Sequence, residues 1–283
     1  MTAWLHSLDY WSYQFLAEVW GLYWPTLLII AAFTLLERWF PLAPSAPWRA
    51  VRFNLVLQAI ALSAFVVLSW TAWGELLNWL NGKAGKPVFY AARADAWWIE
   101  VARIFLVLAI ADLMVYWVHR LSHKLPILWS VHRLHHDEEH LHAATSIRQH
   151  WLSIPVSQLL LLPVAWLWGS DSISPWFSLA VVALVAFHHA NLRLPCWRIP
   201  PLLVGPQMHR IHHARTRALH DKNFAAVFPF WDMLFGTYVA PAGGHVLATG
   251  LEAQATSDEH WRTFYLPLAD WLSKTKRLSN HRP

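Results

Sequence analysis

Long apolar runs separated by short polar segments dominate the first half of the chain and predict three membrane-spanning helices. The runs lie at about 22–36, 53–77 and 97–118, and about 20 apolar residues are enough to cross the hydrocarbon core of a bilayer. Residues 1–21 are rich in aromatic side chains and lack Lys and Arg. They are typical of a separate helix at the membrane surface or of an amphipathic helix packed on the domain. Residues 1–118 are thus predicted to be N-terminal membrane helices.

The second half of the chain contains a further apolar pair and then changes character. Stretches at 152–169 and 174–192 are broken by Gly, Ser and Asp, and the first is short for a complete span. They predict a membrane hairpin at about 153–190. From 193 onward the sequence is basic and helical in pattern, which predicts a soluble cap. The expected fold class is all-α: a multi-pass bundle of about four to five membrane segments with a histidine-rich helical cap, in which 119–283 form a second region after the N-terminal membrane helices.

Composition supports a membrane protein and excludes several other classes. The 283 residues are 56% hydrophobic and 14% charged, whereas soluble domains are about 25% charged. The 21 tryptophans fit this class because tryptophan is favoured at the bilayer interface. The net charge of +5 comes without a basic stripe carrying aromatic residues, so no nucleic-acid partner is expected. The single cysteine, Cys196, excludes an internal disulfide and a thiolate metal cluster.

The distribution of basic residues predicts the orientation in the membrane. Residues 1–21 contain no Lys or Arg, whereas 193–283 are rich in both, and cytoplasmic segments carry an excess of these residues. The histidine-rich region is therefore expected on the cytoplasmic side. Lys83, Lys86 and Arg93 lie in a loop that this orientation places on the opposite side, and they count against it.

Histidines recur at helical spacing immediately after the third apolar run. An H-x-x-x-H pattern at 119–123 is followed by H-x-x-H-H at 132–136, and a second H-x-x-H-H occurs at 209–213. Residues at i, i+3 and i+4 share one face of a helix, so each H-x-x-H-H motif is expected to present three imidazoles to one point. Neutral imidazole is a common ligand of transition metals, and eight exceed what one ion can hold. The motifs predict two neighbouring metal ions held by His119, His123, His132, His135, His136, His209, His212 and His213.

The residues themselves leave three kinds of chemistry open. Oxidation of an unreactive lipid C–H bond needs an oxidant made from O₂, which non-haem iron can supply. Hydrolysis would need a zinc-bound water and a carboxylate base, for which Asp137, Glu138 and Glu139 are candidates. The third is a membrane protein that binds or transports zinc, although such a site is expected at mid-membrane rather than at the ends of the spans.

At these motifs the sequence resembles the membrane-bound fatty acid hydroxylase/sterol desaturase superfamily. The resemblance covers roughly 110–240, through DLMVYWVHRLSH, LWSVHRLHH, FHHANLRLP, MHRIHH and NFAAVFPFWDMLFGTY in that order. It implies a membrane bundle with a cytoplasmic helical cap, a centre of two irons, and O₂-dependent hydroxylation or desaturation. The implied substrate is a membrane lipid such as a sterol, fatty acyl, sphingoid or ether lipid. The eight histidines match the family's metal ligands, and His189 and Asn191 match its H-x-N element.

Three acidic or amide residues are candidates for supporting the ligands. Asp112 lies two helical turns before His119, where it is expected to accept a hydrogen bond from a ligand imidazole or to form a salt bridge with a neighbouring helix. Asn223 and Asp232 are expected to hydrogen-bond ligand imidazoles, or alternatively to brace the final helices.

Two further histidines have open roles. His150 is either a group beside the ligands or substrate, or an exposed side chain. His188 is either a tenth ligand or a neighbour on the face opposite His189.

The sequence contains no G-x-G-x-x-G dinucleotide motif and no recognisable haem domain. Reducing equivalents are therefore expected from an external carrier, which the resemblance implies is of cytochrome b5 or ferredoxin type. The oligomeric state stays open.

Overall fold

The computed structural model describes most of the chain: residues 2–84, 96–153, 155–156, 175–194, 202–241, 246–251, 265, 267–269 and 271–272. Within these residues the regular structure is helical. Two isolated β-bridges join Pro41 to Leu192 and Ala214 to Thr249. The predicted all-α class is confirmed for this part of the chain.

Three helices are long and apolar enough to cross a membrane, among the described residues. They are α1 (Thr2–Trp39), α2 (Trp48–Ser69) and, after the short α3 (Ala72–Ala84), α4 (Trp97–Lys124). The prediction of a separate helix over residues 1–21 is wrong, because α1 continues without a break through Pro25.

The remaining helices are short. They are α5 (Pro126–His136), a 3₁₀ helix (Ala143–Ile147), α6 (Pro175–His189), α7 (Pro206–His212), a second 3₁₀ helix (Arg217–Leu219) and α8 (Phe230–Leu234). Pro126 and Pro206 start their helices, where a fixed φ and a missing N–H carry no penalty. Of the predicted hairpin, α6 is the second arm, whereas most of the first arm lies outside the described residues. The predicted total of four to five membrane segments therefore stays a prediction.

The first helices pack around the 3₁₀ helix Ala143–Ile147. Helix α1 contacts α2 and α6, and the 3₁₀ helix touches all three. Ala143, Ala144, Ala186 and Ala190 are buried in this core, and their small side chains allow the backbones to approach closely. This core holds the end of α6 beside the end of α1.

A buried carboxylate and a buried amide form the junction between the end of α1 and the end of α6. Glu37 Oε1 accepts hydrogen bonds from the backbone N–H groups of Ala143 (2.6 Å) and Asn191 (2.7 Å). The Asn191 side chain exchanges two hydrogen bonds with the backbone of Ala43 and accepts a third from Arg210 (3.0 Å). Asn191 follows His189 by two residues, and Arg210 lies inside the second H-x-x-H-H motif. The junction therefore positions two of the histidine-bearing segments.

The segment from residue 224 to 235 packs along the side of α4. The ring of Tyr116 stacks on that of Phe235 (5.2 Å between centroids) and meets that of Phe224 edge to face. Further back along α4, the Phe105 ring contacts the Phe228 ring at 5.3 Å. This segment thus follows α4 from the histidine end towards its middle.

We expect Glu37→Leu to destabilise the protein strongly, because two buried N–H groups lose their acceptor, at about 1–3 kcal/mol each. Glu37→Gln keeps the acceptor oxygen and should have a smaller effect. Thermal unfolding in detergent measures both, and Glu18→Leu at an exposed position of α1 is the matched control. Equal shifts for Glu37→Leu and Glu18→Leu would contradict the role assigned to Glu37.

Candidate metal centre

Nine histidines form two compact groups of side chains. In each group, one ring nitrogen from every member lies within 4.8 Å of those of all the other members. The five-histidine group contains His119, His123, His132, His136 and His212. The four-histidine group contains His135, His189, His209 and His213. The structure therefore brings together all eight histidines of the repeated motifs and His189.

Each H-x-x-H-H motif divides its side chains between the two groups. In α5, His132 and His136 join the five-histidine group, whereas His135 joins the other. In α7 the division is reversed, so that His212 alone joins the five-histidine group. The expectation that the three imidazoles of each motif converge on a single point is wrong. Consecutive residues are about 100° apart on a helix, so their side chains reach two neighbouring points. The two groups consequently lie side by side.

The Nε2 atoms converge at the centre of each group. His136 Nε2 lies 3.1 Å from His123 Nε2, 3.2 Å from His132 Nε2 and 3.1 Å from His212 Nε2. In the other group, His189 Nε2 lies 3.0 Å from the Nε2 atoms of both His135 and His209. Metal–nitrogen bonds of about 2.1 Å meeting at about 90° place neighbouring ligand nitrogens about 3.0 Å apart. The spacing therefore fits the edges of two coordination shells.

Backbone carbonyls fix which nitrogen carries the proton. His119 Nδ1 donates to the Phe224 carbonyl, His212 Nδ1 to the Lys222 carbonyl and His189 Nδ1 to the Val185 carbonyl, each at 2.8 Å. A carbonyl can only accept, so the Nε2 atoms of these rings carry lone pairs. Lone pairs that face one another repel unless a cation lies between them. In the five-histidine group, which contains His119 and His212, this arrangement fits a metal ion.

Burial keeps the imidazoles outside the membrane helices neutral. It lowers the pKa of each well below the ordinary histidine value, and the neighbouring imidazoles lower it further. This applies to His132, His135, His136, His209, His212 and His213. A neutral imidazole is the form that binds a metal.

The segment 222–228 holds two of these rings through alternate carbonyls. The carbonyls of Lys222 and Phe224 accept from His212 and His119, and that of Ala226 lies 3.2 Å from His188 Nδ1. The second residue of the segment, Asn223, lies in the left-handed region (φ 54°). Its side-chain amide donates to the carbonyls of residues 208 and 239. Asn223 thus braces the backbone, as in the alternative interpretation of its role.

Two buried carboxylates hold the other edge of this segment. Asp232 accepts from the N–H groups of residues 224 and 225 (2.7 and 3.0 Å). Asp112 accepts from those of residues 226, 227 and 228 (3.0, 2.9 and 2.7 Å). Neither of the partners expected for Asp112, a ligand imidazole or a cation on a neighbouring helix, is found among the described residues. Asp232 therefore holds the peptide unit whose Phe224 carbonyl accepts from His119, and Asp112 holds the unit whose Ala226 carbonyl lies beside His188.

His188 and His150 are both buried but belong to neither group. The His188 ring packs on that of His209 (4.3 Å between centroids). His150 Nδ1 accepts from the N–H of Leu152 at 3.1 Å, and its ring stacks on Trp151. The interpretation of His150 as an exposed side chain is wrong. Asn191 contacts Arg210 rather than a ligand ring.

The sequence-based selection missed Asp221. Its Oδ1 lies 3.6 Å from His123 Nδ1, and its Oδ2 pairs with Lys124. These two partners lower the pKa of Asp221 below its usual range. Its sequence position, eight residues after an H-x-x-H-H motif, gives no local signal of this contact.

A protein-family model and several known proteins match the part of the chain that contains these histidine motifs. The family model described as fatty acid hydroxylase matches residues 104–237. Alkylglycerol monooxygenase of Danio rerio is 27% identical over 75% of this chain and 43% of its own length. The human alkylglycerol monooxygenase is 33% identical over 46% of this chain and 29% of its own length.

A bacterial lipid hydroxylase is also similar. Ornithine lipid hydroxylase OlsE of Rhizobium tropici is 26% identical over 51% of this chain and 44% of its own length. The chain thus spans less than half the length of each of these relatives. No solved structure matches it significantly.

We expect the purified protein to contain about two metal ions per chain, one for each group. His136→Ala and His189→Ala remove the side chain at the centre of one group each and should leave at most one ion. Metal analysis by mass spectrometry measures the content, with His220→Ala at an exposed position as the control. Two ions retained in both central variants would contradict the assignment.

Asp112→Asn should loosen segment 222–228 and hasten metal loss. The amide replaces one of two acceptor oxygens with a donor, which opposes a backbone N–H at a cost of about 1–3 kcal/mol. The rate of metal release to a chelator measures the effect. The control is Glu100→Gln, which changes a carboxylate paired with Arg103 in the same helix. Release as slow as in this control would show that Asp112 does not support the ligands.

Proposed function

The chain belongs to the fatty acid hydroxylase/sterol desaturase superfamily, and we propose that it is a di-iron oxidoreductase that hydroxylates a membrane lipid with O₂. Desaturation of the same C–H bonds is the other outcome that this family context leaves open. The observation that carries the proposal is the pair of adjacent imidazole groups at the end of an apolar helix long enough to span the bilayer.

The five-histidine group favours iron over zinc, whereas the four-histidine group fits either metal. Five imidazoles approach one point in the first group, whereas zinc in structural sites takes four ligands. When bound, iron would supply the activation of O₂ that oxidation of an unreactive C–H bond requires. The five-histidine group and the four-histidine group would each hold one ion. The carbonyls of Lys222 and Phe224 would keep His212 and His119 in the required tautomer, and the four-histidine group is buried away from water.

Three carboxylates near the first H-x-x-H-H motif bear on the hydrolytic alternative. Asp137 and Glu138 each lie 3.7 Å from the guanidinium of Arg148, and Glu139 accepts a hydrogen bond from Arg215 at 3.1 Å. Each carboxylate is thus directed to an arginine rather than to the converging Nε2 atoms. This supports oxidation over a hydrolysis that needs a carboxylate base beside the metal.

The location of the histidines bears on the zinc-transport alternative. His119 and His123 occupy the last turns of α4, and the other ligands follow the membrane helices in the chain. A transport pathway is expected to carry its polar groups across the membrane instead. This placement supports a lipid-modifying site at the membrane surface, which we propose faces the cytoplasm.

The substrate is proposed to be a membrane lipid because the relatives described above are named for alkylglycerol and ornithine lipid, and a further relative, methylsterol monooxygenase 1-3 of Arabidopsis thaliana, is named for a methylsterol. Such a substrate can remain in the bilayer while its reacting carbon reaches the end of α4. The proposal also includes an external electron carrier of cytochrome b5 or ferredoxin type, because the sequence contains no dinucleotide-binding glycine motif.

We expect iron-loaded protein in lipid vesicles, supplied with a reductant, a carrier and ¹⁸O₂, to place ¹⁸O in a lipid product. The test panel contains an alkylglycerol, an ornithine lipid and a methylsterol, with mass spectrometry as the readout. His136→Ala should lower the rate by more than about 100-fold, since even residues behind metal ligands contribute 10–100-fold.

The control variant is again His220→Ala, which should retain activity. A desaturated product that forms only with O₂ and reductant would select desaturation. Product formation that is unchanged without O₂, or with zinc in place of iron, would overturn the oxygenase assignment.

A further inference from the structure

Residues 224–235 extend well down the membrane-spanning part of α4. Phe224 contacts Tyr116 at one end of the segment, and Phe228 contacts Phe105 further down. Tyr116 and Phe105 are 11 positions apart, which corresponds to about 16 Å along a helix. Both positions lie in the predicted third membrane span, so the segment reaches the depth of the hydrocarbon core if α4 crosses the bilayer.

The backbone N–H groups of residues 224–228 meet the requirement for a non-helical chain at that depth. Unpaired N–H and C=O groups are not tolerated in hydrocarbon and must be satisfied within the protein. The five consecutive N–H groups of 224–228 all donate to Asp112 or Asp232, and Pro229 has none. The Val227 carbonyl accepts from the N–H of Val204 at 2.9 Å.

The outward surface of the segment is apolar. Phe230, Met233 and Leu234 are 38%, 47% and 66% exposed, whereas Asp232, the one charged residue of 224–235, is completely buried. Leu202 and Leu203, which directly precede Val204, are 81% and 49% exposed. In water, a surface of this kind would be unfavourable, at about 25 cal/mol for each Å².

This surface continues the outward face of α4. Phe105, which touches Phe228, is itself 54% exposed, and Val101, one turn away on α4, is 55% exposed. If lipid acyl chains surround α4, the same acyl chains would therefore contact the exposed side chains of the segment.

We propose that residues 224–235, together with Leu202 and Leu203, form a re-entrant membrane element whose exposed side chains contact lipid acyl chains. The region after residue 193 is then not wholly a soluble cap. Asp112, a charge within a membrane span, serves to satisfy the backbone of this element. The proposal depends on membrane embedding and not on the chemistry of the metal centre.

The test is a measurement of spin-label accessibility in the full-length, metal-loaded protein. Leu234→Cys and Phe230→Cys are each made in a Cys196→Ser background, labelled, and reconstituted in phosphatidylcholine nanodiscs. Val101→Cys on α4 is the lipid-facing control, and Ala218→Cys in the exposed second 3₁₀ helix is the aqueous control. Metal content equal to that of the parent protein verifies folding, and Met233→Cys replaces any variant that loses metal.

We expect collisions with O₂ to exceed collisions with a water-soluble nickel chelate at positions 230 and 234, as at 101, and the order to be reversed at 218. Nickel collisions as frequent at 234 as at 218 would overturn the proposal in favour of a water-facing surface. Low accessibility to both reagents would also overturn it, because a second copy or another protein would then cover the element.

Discussion

The structure depends on holding nine imidazole rings with one nitrogen of each turned towards the others of its group. Unprotonated nitrogens 3.0–3.2 Å apart repel in the absence of a cation. In His119, His189 and His212 the other nitrogen is held by a backbone carbonyl, which leaves the converging nitrogen unprotonated. Several rings are fixed by backbone carbonyls, so the geometry of the centre follows the geometry of the main chain. Preorganisation of this kind is what a precise metal site requires.

Three buried acidic residues bind the main chain rather than the histidines. Glu37, Asp112 and Asp232 together accept hydrogen bonds from seven backbone N–H groups. A carboxylate with two oxygens can fix several consecutive amides, which a neutral side chain of the same size cannot do as fully. Irregular segments are thereby given a defined path between apolar helices, and the ligands that they support acquire fixed positions.

Local patterns were sufficient to predict the helical class and eight of the nine converging histidines, since both depend on helical spacing and apolar run length, whereas His189 was predicted only from the resemblance to the family. They were insufficient for the division of each H-x-x-H-H motif between two groups, because this depends on how α5 and α7 face each other. The contacts of Asp112 are with residues more than 110 positions away, so no local pattern could reveal them. Residues 1–21 were misassigned because their aromatic composition resembles an interfacial helix even though the helix continues through Pro25.

Because each H-x-x-H-H motif contributes to both histidine groups, binding of one metal ion is expected to affect binding of the other. Helices α5 and α7 both contribute to both groups, so an ion bound in one group draws the two helices into the relative orientation that the other group needs. Any motion of these two helices that remains in the empty protein would then be restricted by the first ion, and the second ion would bind to a more rigid site. Binding of the two proposed ions would be thermodynamically linked, and chains with a single ion would be scarce between the empty and the fully loaded forms.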